Sequence, residues 1–267
     1  MTDPFRPLDR LRAVLEGPVA QVLVDNPARR NAFDLAMWRA IPPLFATLED
    51  DARVRAIVLR GAGDLPFASG ADISEFETVR ATAAGGRAYE EANEAAFRAV
   101  AHCRKPVIAM MRGFCLGGGL GLAVSCDLRV AAQGCQFGVP AGRLGVGYPP
   151  EAMGYVVAAV GAMAAKDLFF TARRLDADEA LRLGLVGKVV ADAALEDEAL
   201  GLAAAVAANA PLTLAAAKLA IAHAAGLPGA PARAEVEAAV AACFDSDDYR
   251  EGRAAFLAKR PPVFTGR

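Results

Sequence analysis

Four short β-branched runs, separated by stretches of helical texture, limit this chain more than any other feature. They are VAQVLVD (19–25), VRAIVLRG (54–61), KPVIAMMRG (105–113) and DLRVAA (127–132). Residues 32–51 and 85–101 read as helices, and another helix begins at about 117. Strands alternating with helices predict an α/β fold with crossover connections. Within 32–51, Pro42 and Pro43 are expected to start a new turn or to bend the element. Beyond about residue 190 the texture changes to alanine-dominated helix with no strand signal. A break is predicted at Asn209-Ala210-Pro211. Helices so rich in alanine pack closely, either on the parent core or against another subunit.

The chain has 267 residues, 55% hydrophobic and 22% charged, as a globular protein does. Its net charge of −2, with no run of Lys or Arg longer than two, argues against a nucleic-acid protein. Five cysteines form no C-x-x-C pair and only two histidines are present, so free thiols and no metal site are expected. The stretch MTDPFRPLDRLR lacks the apolar core of a signal peptide. The longest weakly polar run, 152–165, is too short for a bilayer span. A soluble, cytoplasmic protein is the expectation.

Two glycine-rich turns carry the chemistry. Gly61-Ala62-Gly63 follows a strand, but Pro66 stands where a dinucleotide fingerprint needs its third glycine, and no P-loop motif occurs. Instead, Phe67-Ala-Ser-Gly-Ala-Asp-Ile73 combines small residues with Asp72, which suits a helix start. The stretch GFCLGGGLG (113–121) holds five glycines in nine residues and leads into an apolar helix. Both turns offer oriented N–H groups. Two such donors from separate turns can converge on one oxygen that gains charge during reaction. The structural alternative is that each turn merely permits tight packing.

With these residues in view, the sequence resembles the crotonase superfamily, the enoyl-CoA hydratase/isomerase family, over essentially its full length. The matching stretches are DNPARRNAFD (25–34), PFASGADISEF (66–76), KPVIAMMRGFCLGGGLGLAVSCDLRVAA (105–132), FGVPAGRLGVGYPP (137–150), LDADEALRLGLVGKVV (175–190) and FLAKRPPVFTGR (256–267). The resemblance implies an α/β spiral of β-β-α repeats over 1–195 and a helical oligomerisation region over 196–267, forming trimers that often pair into hexamers. It implies an acyl-CoA thioester substrate, with coenzyme A part of the substrate and no further cofactor. The thioester oxygen would lie between the N–H groups of Ala71 and Gly118. Ala32, Ser69, Gly70, Asp72, Ile73, Phe114, Gly117, Gly121, Ala141 and Leu144 would surround the acyl-CoA. Arg29 and Arg30 fall in the CoA-contacting segment, and Lys259 and Arg260 in a tail that often reaches a neighbouring subunit's CoA.

The pattern breaks at two positions. Family hydratases carry one glutamate two residues after the last glycine of the GGG run and another after the proline of F-G-x-P. Here those positions are Gly121 and Ala141. Neither exchanges a proton, and the truncations are expected to open volume near the reacting carbons. Some family members place their acid on the loop after F-G-x-P, which here runs from Arg143 to Glu151. Glu151 is its one carboxylate: either a partly buried acid with a raised pKa, or simply a favourable acid in a helix's first turn. Tyr148 and Arg143 are weaker candidates, and His102 and His223 read as structural. Hydration would be slow, leaving isomerisation, another enolate reaction such as decarboxylation, or acyl-CoA binding without turnover.

Overall fold

The computed structural model describes residues 3–267. Leu11–Glu16 (β1) turns through Gly17 and Pro18 into Val19–Val24 (β2). Gly17 takes φ +58, as the two-residue hairpin requires. In chain order follow Leu35–Asp50 (α1), Ala56–Gly61 (β3), Ala83–Ala101 (α2), Val107–Met111 (β4), Phe114–Leu116 (β5) and Gly118–Ser125 (α3). Next come Leu128–Ala132 (β6), Gln136–Gly138 (β7), Ala141–Leu144 (α4), Pro150–Thr171 (α5), Ala177–Arg182 (α6) and Lys188–Val190 (β8). The chain ends in Leu195–Ala207 (α7), Pro211–Ala225 (α8), Arg233–Asp245 (α9) and Asp247–Leu257 (α10).

The main sheet has the order β1-β2-β3-β4-β6-β8, antiparallel only between β1 and β2. The four runs predicted as strands are β2, β3, β4 and β6. The remaining strands carried little signal: β1 is a half-exposed edge, and β5, β7 and β8 have three residues each. β5 pairs in parallel with β7, and isolated bridges at Ala68 and Leu175 extend this small sheet on either side. Each β-β-α turn therefore lays one strand in the large sheet, one in the small sheet, and then a helix. Two turns are β4-β5-α3 and β6-β7-α4.

Alternation divides the core. Ala20, Val22, Ile57, Leu59, Ala109 and Met111 face α1, α2, α3 and α5. Val58, Ile108, Met110 and Val130 face the other way, onto Leu195, Ala199, Ala203 and Ala207 of α7. Those four recur every fourth residue, and three are alanines, so the helix lies close on the sheet. α7, inside the helical region expected from residue 196, thus closes the second face of the sheet. The break at Asn209-Ala210-Pro211 lies where predicted, and the chain turns by 105° there.

Two features depart from expectation. Pro42 and Pro43 do not start a new turn: α1 runs through both as one helix. Buried Ile41, Leu44 and Phe45 hold it to the core while the prolines sit on its outer side, so packing overrides the lost hydrogen bonds. α5 is longer than the apolar run 152–165, and by length and composition it could cross a bilayer. Gly161, at φ 75 and ψ 161, breaks its helical dihedrals. Each half then spans roughly 16 Å, against a hydrocarbon core of roughly 30 Å.

Candidate active site

Glycine geometry builds the site. Gly117 caps α3 at φ 52 and ψ −122, a conformation closed to other residues, and donates its N–H to Gly138 O at 2.8 Å. A Cβ at Gly119 would stand 2.6 Å from Ala68 Cβ and 2.9 Å from Ala68 O. That position must be bare for the 67–71 strap to lie on α3. The strap is sewn to β5 by Ala68 N–H to Phe114 O at 2.9 Å and Leu116 N–H to Ala68 O at 3.0 Å. Asn31, fully buried, clamps it from the other side by donating to Val24 O and Pro66 O.

This arrangement leaves two amides free. Phe33 pairs with Ala71 as in a parallel ladder, donating to Gly70 O at 2.8 Å and accepting from Asp72 N–H at 2.8 Å. Ala71's own N–H therefore points to the opposite side. Gly118 opens α3, so no carbonyl precedes it by one turn. Among the described residues neither N–H has a partner, and both residues line one cavity. Register explains the convergence: Ala68 pairs with Cys115 and Cys115 with Phe137. Ala71, Gly118 and Pro140 each lie three residues beyond, at equivalent points of successive turns. Pro140 has no N–H, so two of the three donate.

Of the residues expected around the ligand, Ser69, Gly70, Ala71, Ile73, Gly117, Gly118, Ala141 and Leu144 line this cavity. Asp72 lies behind it, capping the short 3₁₀ turn Ile73–Glu75 through Ser74 N–H at 2.9 Å and meeting Arg29 at 3.6 Å. Arg29 also accepts the Ser69 hydroxyl on its carbonyl at 3.0 Å, which ties the exposed Arg29-Arg30 loop beside the strap. Ala32 is buried in that loop, and its carbonyl accepts from Asn26. Phe114 lies under the Arg174 guanidinium, 5.5 Å away, and does not reach the cavity. Lys259 and Arg260 are exposed on the tail, where Glu251 holds the Arg260 guanidinium at 2.6 and 2.8 Å.

Two expectations need correction. Gly121 opens no volume: a Cβ there would meet Phe97 Cζ and the Tyr148 hydroxyl, each at 2.7 Å. Those two side chains fill the space a glutamate would occupy. Glu151 does not line the cavity. It sits in the first turn of α5 and forms a two-point ion pair with Arg98, at 3.1 and 2.5 Å. The Arg98 guanidinium holds its carboxyl below the usual range, which goes against the raised-pKa alternative and leaves Glu151 as an acid in a helix's first turn.

α2 supplies what the motifs did not indicate. Tyr89, Glu90, Asn93 and Phe97 all reach the cavity. Glu90 is the one carboxylate on its wall among the described residues, and burial raises its pKa against the opposing pull of Arg80 at 2.8 Å. Arg80 in turn stacks on Phe76 and Tyr89. Trp38 Nε1–H donates to the Tyr89 hydroxyl at 2.9 Å, and that hydroxyl donates to Phe33 O at 3.0 Å, fixing the wall behind Gly118. The available signal was Asn93, an amide inside the apolar stripe Tyr89, Ala92, Ala96, Phe97 and Val100.

Comparison with known proteins agrees with this architecture. The family model described as enoyl-CoA hydratase/isomerase matches residues 15–267. The chain is 36% identical to the short-chain-enoyl-CoA hydratase of Clostridium acetobutylicum, over 92% of this chain and 93% of that protein. It is 34% identical to the crotonyl-CoA hydratase of Syntrophomonas wolfei, over 94% and 96% respectively. Among solved structures, an enoyl-CoA hydratase/carnithine racemase from Magnetospirillum magneticum superposes with a TM-score of 0.92 at 40% identity, covering 98% of each chain. The chain therefore belongs to the enoyl-CoA hydratase/isomerase family, within the crotonase superfamily.

Proposed function

We propose that this protein binds an acyl-CoA thioester with its carbonyl oxygen between the N–H groups of Ala71 and Gly118, and stabilises the enolate that forms there. The observation that carries this reading is the pair of unpartnered amides lining one cavity. Each would bind more tightly as charge builds on the oxygen, so the pair favours the transition state over the bound ester. Isomerisation suits the site better than hydration. Delivering water across a double bond uses two acid/base groups, and positions 121 and 141 supply neither. Moving a proton from one carbon to another needs only one such group. Glu90, on the cavity wall with a raised pKa, has the character anticipated for Glu151. The exposed Arg29, Arg30 and Lys259 are available to the anionic CoA.

The helices after α7 are proposed to join subunits, as trimers or paired trimers. This reading is supported by large apolar side chains on open surface, including Phe244, Phe256 and Leu257.

The test is vibrational. Butyryl-CoA labelled with ¹³C at the thioester carbonyl should show its C=O stretch shifted to lower frequency in the complex. An unshifted band in a saturated complex would remove the two amides from the mechanism.

A further inference from the structure

Arg80 and Glu90 occupy the boundary between two spaces. Both line the cavity that holds the Ala71 and Gly118 amides. Both also line an outer groove whose other walls include the exposed Thr82, Ala83, Arg87 and Glu91. Among the described residues, no other charged side chain is common to the two. Phe76, Leu144, Val146 and Pro149 on the shared wall have no side-chain proton to exchange. Burial pushes the Tyr148 phenol there well above its ordinary range. A proton leaving the cavity on this side therefore has one carrier, Glu90.

Arg80 is built into this boundary. Its guanidinium lies 4.6 Å from the Phe76 ring centroid and 4.7 Å from that of Tyr89, and it meets the Glu90 carboxylate at 2.8 Å. The Arg80 side chain is 12% exposed and that of Glu90 29%, so the carboxylate keeps an open side while the cation is enclosed. Inward, Glu90 stands one turn of α2 before Asn93, whose side-chain carbonyl oxygen lies 3.2 Å from where a Cβ on Gly118 would be. One turn is about 5 Å, a distance a glutamate side chain can cover.

We propose that Arg80 and Glu90 form a proton port through which bound acyl-CoA exchanges its α-protons with solvent, Glu90 carrying the proton and Arg80 acting as its positioning residue. This rests on the thioester lying between Ala71 and Gly118 as proposed above. The α C–H bond breaks, its electron pair passes to the thioester oxygen as the enolate forms, and the proton binds the Glu90 carboxylate. That proton leaves to water in the outer groove, solvent supplies another, and the enolate takes it up at carbon. Facing Glu90 are Arg80 from the segment before α2, Tyr89 and Glu94 on α2, and Tyr148 from the segment before α5. The Arg80 charge favours the carboxylate, against burial and the like charge of Glu94. Exchange therefore rises with pH as Glu90 ionises, and loss of Arg80 moves that rise to higher pH.

The test follows deuterium entering butyryl-CoA at the α-carbon in D2O, by mass spectrometry, over a range of pH. Wild type should incorporate deuterium, and Glu90→Gln should do so about 100-fold more slowly. Arg80→Met should move the midpoint of the rate-against-pH curve up by about one unit or more, while Arg80→Lys holds it within about half a unit of wild type. In all three variants the carbonyl stretch of the bound ester should stay shifted as in wild type, since the two amides are untouched. Incorporation that does not need Glu90, a midpoint unmoved in Arg80→Met, or no incorporation by wild type despite a shifted carbonyl would overturn the port alone. An unshifted carbonyl in the wild-type complex would remove the thioester reading and the port with it.

Discussion

At the scale of single residues, the departure from the hydratase pattern at position 121 is compensated rather than empty. Gly121 is bare because Phe97 and Tyr148 occupy the space beside it. Gly121→Glu, which restores a carboxylate in sequence, should therefore not restore a hydratase site. We expect it to lower stability by about 2 kcal/mol or more through overpacking and an unpaired buried charge. Crotonyl-CoA hydration, assayed by the loss of enoyl absorbance, should stay about 100-fold or more below that of an enzyme with both carboxylates, in this variant as in wild type. A stable, rapidly hydrating Gly121→Glu protein would contradict the contacts assigned to Phe97 and Tyr148. Glu151 teaches the complementary point. Its position on the chain suggested an acid, but the Arg98 guanidinium facing it makes it a stable carboxylate.

At the scale of elements, the site is a product of strand register. Successive turns of the spiral lay Ala68, Cys115 and Phe137 side by side, so the residues three positions later arrive at one edge. Two of these arrivals are amides, and the third is a proline. The closeness depends on Gly119, which has no room for a methyl group against Ala68. Gly119→Ala should push the strap off α3, costing about 2–3 kcal/mol in urea unfolding. It should also weaken butyryl-CoA binding by about tenfold or more, since a 1 Å misplacement at such a site has large effects. A variant with reduced stability but intact binding would show that the two amides do not depend on this contact.

At the scale of the whole molecule, the two ends of the chain serve different ends of the problem. The sheet and its helices are closed on both faces, with α7 supplying the second. Beyond it, α8 and α9 pack on each other, and the tail folds back so that Asp248 accepts from Thr265 N–H at 2.6 Å and Gly266 N–H at 2.9 Å. Arg55 reaches from the core to Phe264 O at 2.5 Å. Yet Phe256 and Leu257 remain over 80% exposed, as do Met163 and Phe170 on α5. Such side chains favour association, so light scattering should give three or six times the 27.7 kDa chain mass. A monomer at micromolar concentration would overturn the subunit-joining role given to these helices.

The sequence by itself determined the strand-helix alternation, the two glycine turns, the break before Pro211 and the absence of carboxylates at 121 and 141. Each of these is local, set by backbone freedom, side-chain shape or simple identity within a few residues. It also exposed the family through six ordered motifs. Only the tertiary structure decided which acid faces the cavity, what fills the space beside Gly121, and why Ala71 and Gly118 arrive together. Those answers come from contacts between distant parts of the chain: Glu90 with the wall, Arg98 with Glu151, Tyr148 with Gly121, Ala68 with Cys115. A partner that lies far along the chain leaves no periodic or local trace, because packing chooses it only once the spiral has closed.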